Sequence, residues 1–266
     1  RAKECFDRAG IDSAEMALVK GLGFSWQGPN PVPEDIERGE QALSAADEAS
    51  PIAAFNLIGL AVNRAMIGEI EEARSLLRRG ASILRELGMT IELAAAVGYS
   101  SAVVEMMAGD LVAAEAAIRP AYETLKEMGE KARLSSRAAI LAGIVYEHER
   151  YDEAMSLAEE ADTVSAPDDM EPQIWLRGVR AKVLARRGRF EEAEREAREN
   201  VRLAEGTDWP GYTGMAWVDL CEVLRLARRR EEAAEAARRA EEYLERKGSL
   251  VMAQRTRALR EELEAP

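Results

Sequence analysis

The sequence predicts an all-α fold, a right-handed α-α superhelix (a solenoid) of about six helix pairs with a period of ~40 residues. Three observations predict it. The composition is 47% apolar but only 5% aromatic, dominated by Ala, Leu, Glu and Arg, which favour helix over sheet. One local pattern recurs five times: "MIGEIEEARSLLRRG" (66–80), "MAGDLVAAEAAIRPA" (107–121), "EHERYDEAMSLAEEA" (147–161), "RRGRFEEAEREAREN" (186–200) and "LARRREEAAEAARRA" (226–240). Glycine and proline punctuate the chain at the same period, and no segment alternates clearly enough to read as a strand.

The copies align on Ala73, Ala114, Ala154, Ala193 and Ala233, stepping by 41, 40, 39 and 40. A second column, Ala61, Ala102, Ala142, Ala181 and Cys221, lies 12 residues earlier each time. Two small residues at fixed separation across a turn let antiparallel helices approach closely. Gly88, Gly129, Gly206 and Gly248 follow as expected left-handed helix stops, and one unit ends in "SAPDD" instead. Ser50-Pro51, Pro172 and Pro210 mark starts.

Element by element, 1–9 reads as a truncated helix of a preceding unit. Residues 12–28 and 32–47 form an irregular pair across "WQGPNPVP", whose prolines forbid continuous helix. Units follow at 51–88, 91–129, 131–166, 170–206 and 208–248, with turns at Gly68, Gly109 and Gly188, and 249–264 is a capping helix. A helix pair cannot bury its apolar face alone, so 1–266 is expected to form one continuous solenoid. In "RRGRFEEAEREA" (186–197), Gly188 makes the turn, Phe190 plugs the inter-repeat core, Ala193 admits the neighbouring helix, and the Arg and Glu residues form the solvated face.

A net charge of −13 is the wrong sign for nucleic acid or an anionic membrane. Cys5 and Cys221 lie far apart, and so few cysteines suit a reducing compartment; a cytoplasmic location is expected. There is no signal pattern and no apolar run near 18 residues. The chain opens on Arg1 within a helical pattern and reads as a piece of a longer protein.

Motifs for chemistry are weak. "GLGFSW" (21–26) starts like a dinucleotide fingerprint but carries Trp26 at the third position, so helix-packing glycines are the better reading. No GxxxxGK[ST] is present. His148 stands alone, without the partners a metal site or general base needs. Asp168, Asp169 and Glu171 in "APDDMEP" lack calcium-loop spacing and read as helix-start carboxylates. No catalytic residue, cofactor or metal site is therefore expected.

These columns resemble the tetratricopeptide repeat, with an aromatic-type column at Ile70, Leu111, Tyr151, Phe190 and Arg230 and a late small column at Gly80, Ala121, Ala161, Asn200 and Ala240. Arg230 and Asn200 depart from the pattern. "RAKVLARRGRFEEAEREARENVRLAEGTDWPG", "LCEVLRLARRREEAAEAARRAEEYLERKGS", "GPNPVPEDIERGEQAL" and "MMAGDLVAAEAAIRPAYETLKEMGEK" are similar to the C-terminal helical region of bacterial multidomain signalling proteins. In those, an adenylate or guanylate cyclase domain precedes an ATPase module. The resemblance implies a non-catalytic protein-interaction or regulatory scaffold, with a protein or peptide partner that includes the parent's own upstream domains. The alternative it implies is a small-molecule-sensing array of the transcriptional-activator type. First helices line the groove in such repeats; that geometry points to Tyr99, Met106, Tyr146, Trp175, Lys182, Glu222 and Arg225 as the concave surface.

Overall fold

The computed structural model describes residues 25–265. Expectations for 1–9, 12–24, Cys5 and the first part of "GLGFSW" lie outside the described residues. Among the described residues there are helices and no strands. After a 3-10 turn at Ser25–Gln27 come α1 (Val32–Ala45), α2 (Pro51–Met66), α3 (Ile70–Glu86), α4 (Thr90–Ala108) and α5 (Leu111–Glu127). Then follow α6 (Lys131–Glu147), α7 (Tyr151–Val164), α8 (Met170–Arg186), α9 (Phe190–Glu205), α10 (Pro210–Leu226), α11 (Arg230–Lys247) and α12 (Leu250–Glu264). The helices from α2 to α11 form antiparallel pairs, each second helix also packing on the next first helix.

Start signals act through geometry. The Ser50 hydroxyl accepts from the Ala53 amide at 3.2 Å with Pro51 in the first turn of α2, and the Asp110 carboxylate caps α5 through the Ala113 amide at 2.9 Å. The turn before each second helix holds one left-handed residue. Three are glycines, Gly68, Gly109 and Gly188, at φ 92°, 83° and 74°. The other two are Glu149 and Arg228, each at φ 61°, in the same register. Both small columns are fully buried, from Ala61 to Cys221 and from Ala73 to Ala233. Burial pushes the Cys221 thiol up to about 11, so it behaves as an inert small hydrophobe.

First helices are packed on several sides: every residue from Leu134 to Tyr146 of α6 is buried. Second helices bury one stripe and carry charge outside. Between α4 and α6 the stacking is mediated by Arg137. Its buried guanidinium donates to the Ala95 carbonyl at 3.1 and 2.6 Å, inside a π-helical stretch, Leu93–Val97, that interrupts α4.

The superhelix closes on itself. Arg255 of α12 donates to the Met106 and Met107 carbonyls at the end of α4, at 3.0 and 2.7 Å. Val251 lies beside the Gly68 turn, and Lys247 of α11 pairs with Asp35 of α1 at 3.1 Å.

Four expectations need correction. Gly206 is right-handed, at φ −73°, because Thr207 ends α9: its hydroxyl donates to the Ala204 carbonyl at 2.7 Å and accepts from the Trp209 amide at 3.2 Å. Phe190 does not plug the core; it is 40% exposed at the first turn of α9, and Ala193 and Ala197 make the close approach instead. The charges of 186–197 are not all solvated. Arg186 reaches the inner surface, and Glu194 bridges to Arg229 of the next unit and to Arg198. Finally, α4 is long and apolar enough, by length and composition, to cross a membrane; here it packs on α2, α3 and α5. Arg230, out of pattern in its column, donates to the Glu262, Leu263 and Ala265 carbonyls and so caps the C-terminus of α12.

Candidate functional site

The first helices converge on two polar clusters, one at their N-terminal halves and one at their C-terminal halves.

The first is built around Glu171 in the opening turn of α8. Its Oε1 accepts from the hydroxyl of Tyr99 (α4), from that of Tyr212 (α10) at 2.9 Å and from the Gln27 amide at 2.9 Å. Its Oε2 accepts from Ser136 (α6) at 3.1 Å. Tyr99 and Tyr212 come from units well separated in sequence, yet their hydroxyls lie 3.3 Å apart. Burial, and then the Glu171 carboxylate, push both phenols far above their usual range, so both remain protonated donors. The Arg137 guanidinium sits 4.7 Å over the Tyr99 ring.

Part of this cluster is supplied by a strap, residues 26–31, that precedes α1. Trp26 is 8% exposed, its ring 5.9 Å from Tyr99 and 6.1 Å from Tyr212. Gln27 donates to Glu171, to Tyr212 at 3.1 Å and to Tyr99 at 3.4 Å. Pro31 is in polyproline geometry, at φ −59° and ψ 144°. Lys247, fully buried, holds the strap backbone by donating to the Gly28 and Asn30 carbonyls at 3.1 and 2.6 Å.

The second cluster is closed on its own members. The Tyr146 hydroxyl donates to Glu222 at 2.6 Å, and Arg186 reaches both, at 3.0 and 2.9 Å. Lys182 pairs with Asp219 at 2.9 Å and lies 4.6 Å over the Tyr146 ring. Burial works against the Glu222 carboxylate, but Lys182, the Tyr146 hydroxyl and Arg186 outweigh it, and its pKa falls below the usual 4.5.

Of the residues singled out by register, Tyr146, Lys182, Glu222 and Arg225 meet in the second cluster, Arg225 at 4.0 Å from Glu222. Tyr99 belongs to the first. Trp175 packs against Gly143, at 3.3 Å from where a Cβ would stand, and Met106 packs on the core while its carbonyl receives Arg255. Sequence reasoning missed Trp26, Gln27, Ser136, Arg137, Glu171 and Tyr212. Tyr212 and Glu171 both fall in the opening turn of a first helix, a signal that register comparison could have used. His148 hydrogen-bonds Glu115 at 2.8 Å, and among the described residues no group of metal-ligating side chains forms.

No protein-family profile and no curated protein matches the chain. Solved structures do resemble it. BtubC (BKLC) from P. vanneervenii has 17% identity over 86% of this chain and 91% of that one, with a TM-score of 0.56. A Rap protein complexed with Competence and Sporulation Factor has 13% identity over 88% of this chain and 65% of that one, with a TM-score of 0.60. NprR in complex with its cognate peptide NprX has 13% identity over 88% of this chain and 72% of that one, also at 0.60. The chain thus has the fold of the TPR-like helical-repeat solenoids.

Proposed function

We propose that this chain is a non-catalytic scaffold that binds a protein or peptide on the inner face of its first helices, at the Glu171 cluster. The observation that carries the reading is the strap: the inner face already holds a short polypeptide segment, a 3-10 turn running into Pro31, through a carboxylate, two tyrosines and a buried lysine. The same donors and acceptors suit a peptide in trans, because main-chain carbonyls and a side-chain amide are what they receive. The Rap and NprR structures were solved with a peptide or factor bound, which fits this reading by fold. We place the array in a cytoplasmic signalling protein of the cyclase–ATPase type, as its C-terminal region, with upstream domains of the same polypeptide among the partners.

A displayed random-peptide library selected on the full chain tests the reading. Binders are expected to protect amides of α4, α6, α8 and α10 from hydrogen exchange. Protection confined to the outer second helices, or no binder at all, would overturn it.

A further inference from the structure

The strap is joined to α1 by its own backbone, yet its contacts with the first helices are those of a ligand. Trp26 stacks on Tyr212 and meets Tyr99, from a distant unit, at a tilt, and Gln27 places one primary amide within reach of three acceptors at once: the Glu171 carboxylate and the two phenolic oxygens. The cluster is selective for a donor. The Glu171 carboxylate accepts from three hydroxyls and one amide, so a second carboxyl group in place of the amide would face it with an acceptor, whereas an uncharged N–H donor completes the set. Backbone selection is added by Lys247, which takes two carbonyls of a segment whose prolines have no N–H to satisfy.

The fit is incomplete. The Trp26 indole N–H is buried and has no acceptor, and an orphaned donor costs roughly 1–3 kcal/mol. The strap is therefore a ligand held more by its tether than by its own complementarity. Tethering a short segment supplies an effective concentration on the order of millimolar, which a free peptide must exceed to take its place.

We propose that the Tyr99–Glu171–Tyr212 site is a receptor for a peptide carrying an aromatic residue followed by glutamine, and that Trp26 and Gln27 occupy it as an intramolecular competitor. The inference rests on the peptide-binding reading above and names the ligand class and the regulation of that site. In the free protein the site is closed by the strap. A partner segment of the same chemistry displaces Trp26 and Gln27 and leaves them exposed, the strap pivoting on the Gly28 and Asn30 carbonyls that Lys247 still holds.

The test uses the full chain and a fluorescent, end-blocked peptide of sequence SWQGPN, read by anisotropy. The variant Trp26→Ala/Gln27→Ala is expected to bind this probe at least tenfold more tightly than the wild type, because the tethered competitor is gone. The same peptide with Glu in place of Gln is expected to lose at least tenfold in affinity for that variant. Adding Glu171→Gln to the variant is expected to weaken the unmodified probe and to narrow its preference over the Glu peptide. Helical circular dichroism and cooperative unfolding establish that each variant is folded; if the double variant is not, Gln27→Glu alone, which expels the amide and keeps Trp26, replaces it with the same expectation. A folded variant that does not bind the probe, binds it no better than the wild type, or binds the Glu peptide equally well overturns the proposal. If library-selected peptides still protect the first helices while the strap peptide fails, the competitor idea falls and the peptide-binding reading stands. If neither binds, both fall.

Discussion

The two inner clusters are made of similar parts and are held in opposite ways. At the C-terminal halves of the first helices, Glu222 is answered by Arg186 and Tyr146, with Lys182 and Asp219 neutralising each other beside them. Every member belongs to a first helix, and with Glu147 of α6, 3.7 Å from Lys182, three carboxylates balance Lys182, Arg186 and Arg225. At the N-terminal halves, Glu171 receives only hydroxyls and an amide among the described residues, and the amide is borrowed from the strap. A cluster that completes itself acts as structure. A carboxylate that takes one of its donors from a separate segment has a position where that donor is exchangeable.

Four measurements break or sharpen this contrast, from the largest expected effect to the smallest. Lys247→Met removes the cation that pins the strap and leaves Asp35 buried without its partner, and it should lower stability in urea by about 3–5 kcal/mol. A loss under 1 kcal/mol would mean that the strap is not fastened there. Next, Glu222→Ala should cost about 2–3 kcal/mol, since the Tyr146 hydroxyl and Arg186 lose a common acceptor and Lys182 loses a nearby negative charge. This contribution depends on pH. The folded pKa of Glu222 is depressed, so its stabilisation is complete above the usual 4.5 and is lost as pH falls below it. The stability gap between wild type and Glu222→Gln should accordingly shrink between neutral pH and acid; a gap that widens in acid contradicts the sign.

Gln27→Ala should cost only about 1 kcal/mol, because Tyr99, Tyr212 and Ser136 still satisfy Glu171. If it costs as much as Glu222→Ala, the two clusters are equally structural and the contrast disappears. The smallest effect is a gain outside both clusters. Glu149 and Arg228 sit in left-handed turns that penalise a side chain by roughly 1–2 kcal/mol, against about 0.5–1 kcal/mol of extra chain entropy for glycine. Glu149→Gly and Arg228→Gly should therefore each stabilise by about 0.5 kcal/mol, seen as a small rise in Tm. Falls in Tm would show that those side chains contribute contacts beyond their turn.

The helix pairs were readable because their determinants are local and repeated. Ala193 and Ala181 occupy columns where only a small side chain lets two backbones meet, and all ten residues of the two columns are buried. The turns at Glu149 and Arg228 escaped notice because nothing in Glu or Arg signals positive φ; only register betrays them. Gly206 misled for the converse reason. A glycine at the end of a helix signals a left-handed stop, but here the Thr207 hydroxyl takes the Ala204 carbonyl in the last turn. Register transfer reached Tyr146, Lys182 and Glu222, which lie on the same inner face one unit apart. It did not reach Glu171, which read as one of several carboxylates at a helix start. Its role depends on Tyr99 and Tyr212 arriving from units far apart in sequence, and on a strap from outside the repeats. That meeting is set by how far the superhelix turns, which no single repeat encodes.

The contact of Arg255 with the end of α4 changes how the array loses structure. An open stack of repeats frays from its two ends, each terminal unit melting on its own nearest-neighbour terms. Here α12 is fastened to the end of α4 and α11 to α1, so within the described residues the two ends of the array are joined, and opening one junction strains the others. The described array is a hoop, not a spring. It should melt in a single step, and its inner bore should resist the lengthwise breathing by which open solenoids adapt to partners of different size. Adding or deleting one 40-residue unit would leave the stack intact but carry the Arg255 clasp past its carbonyls, turning the hoop back into a spring.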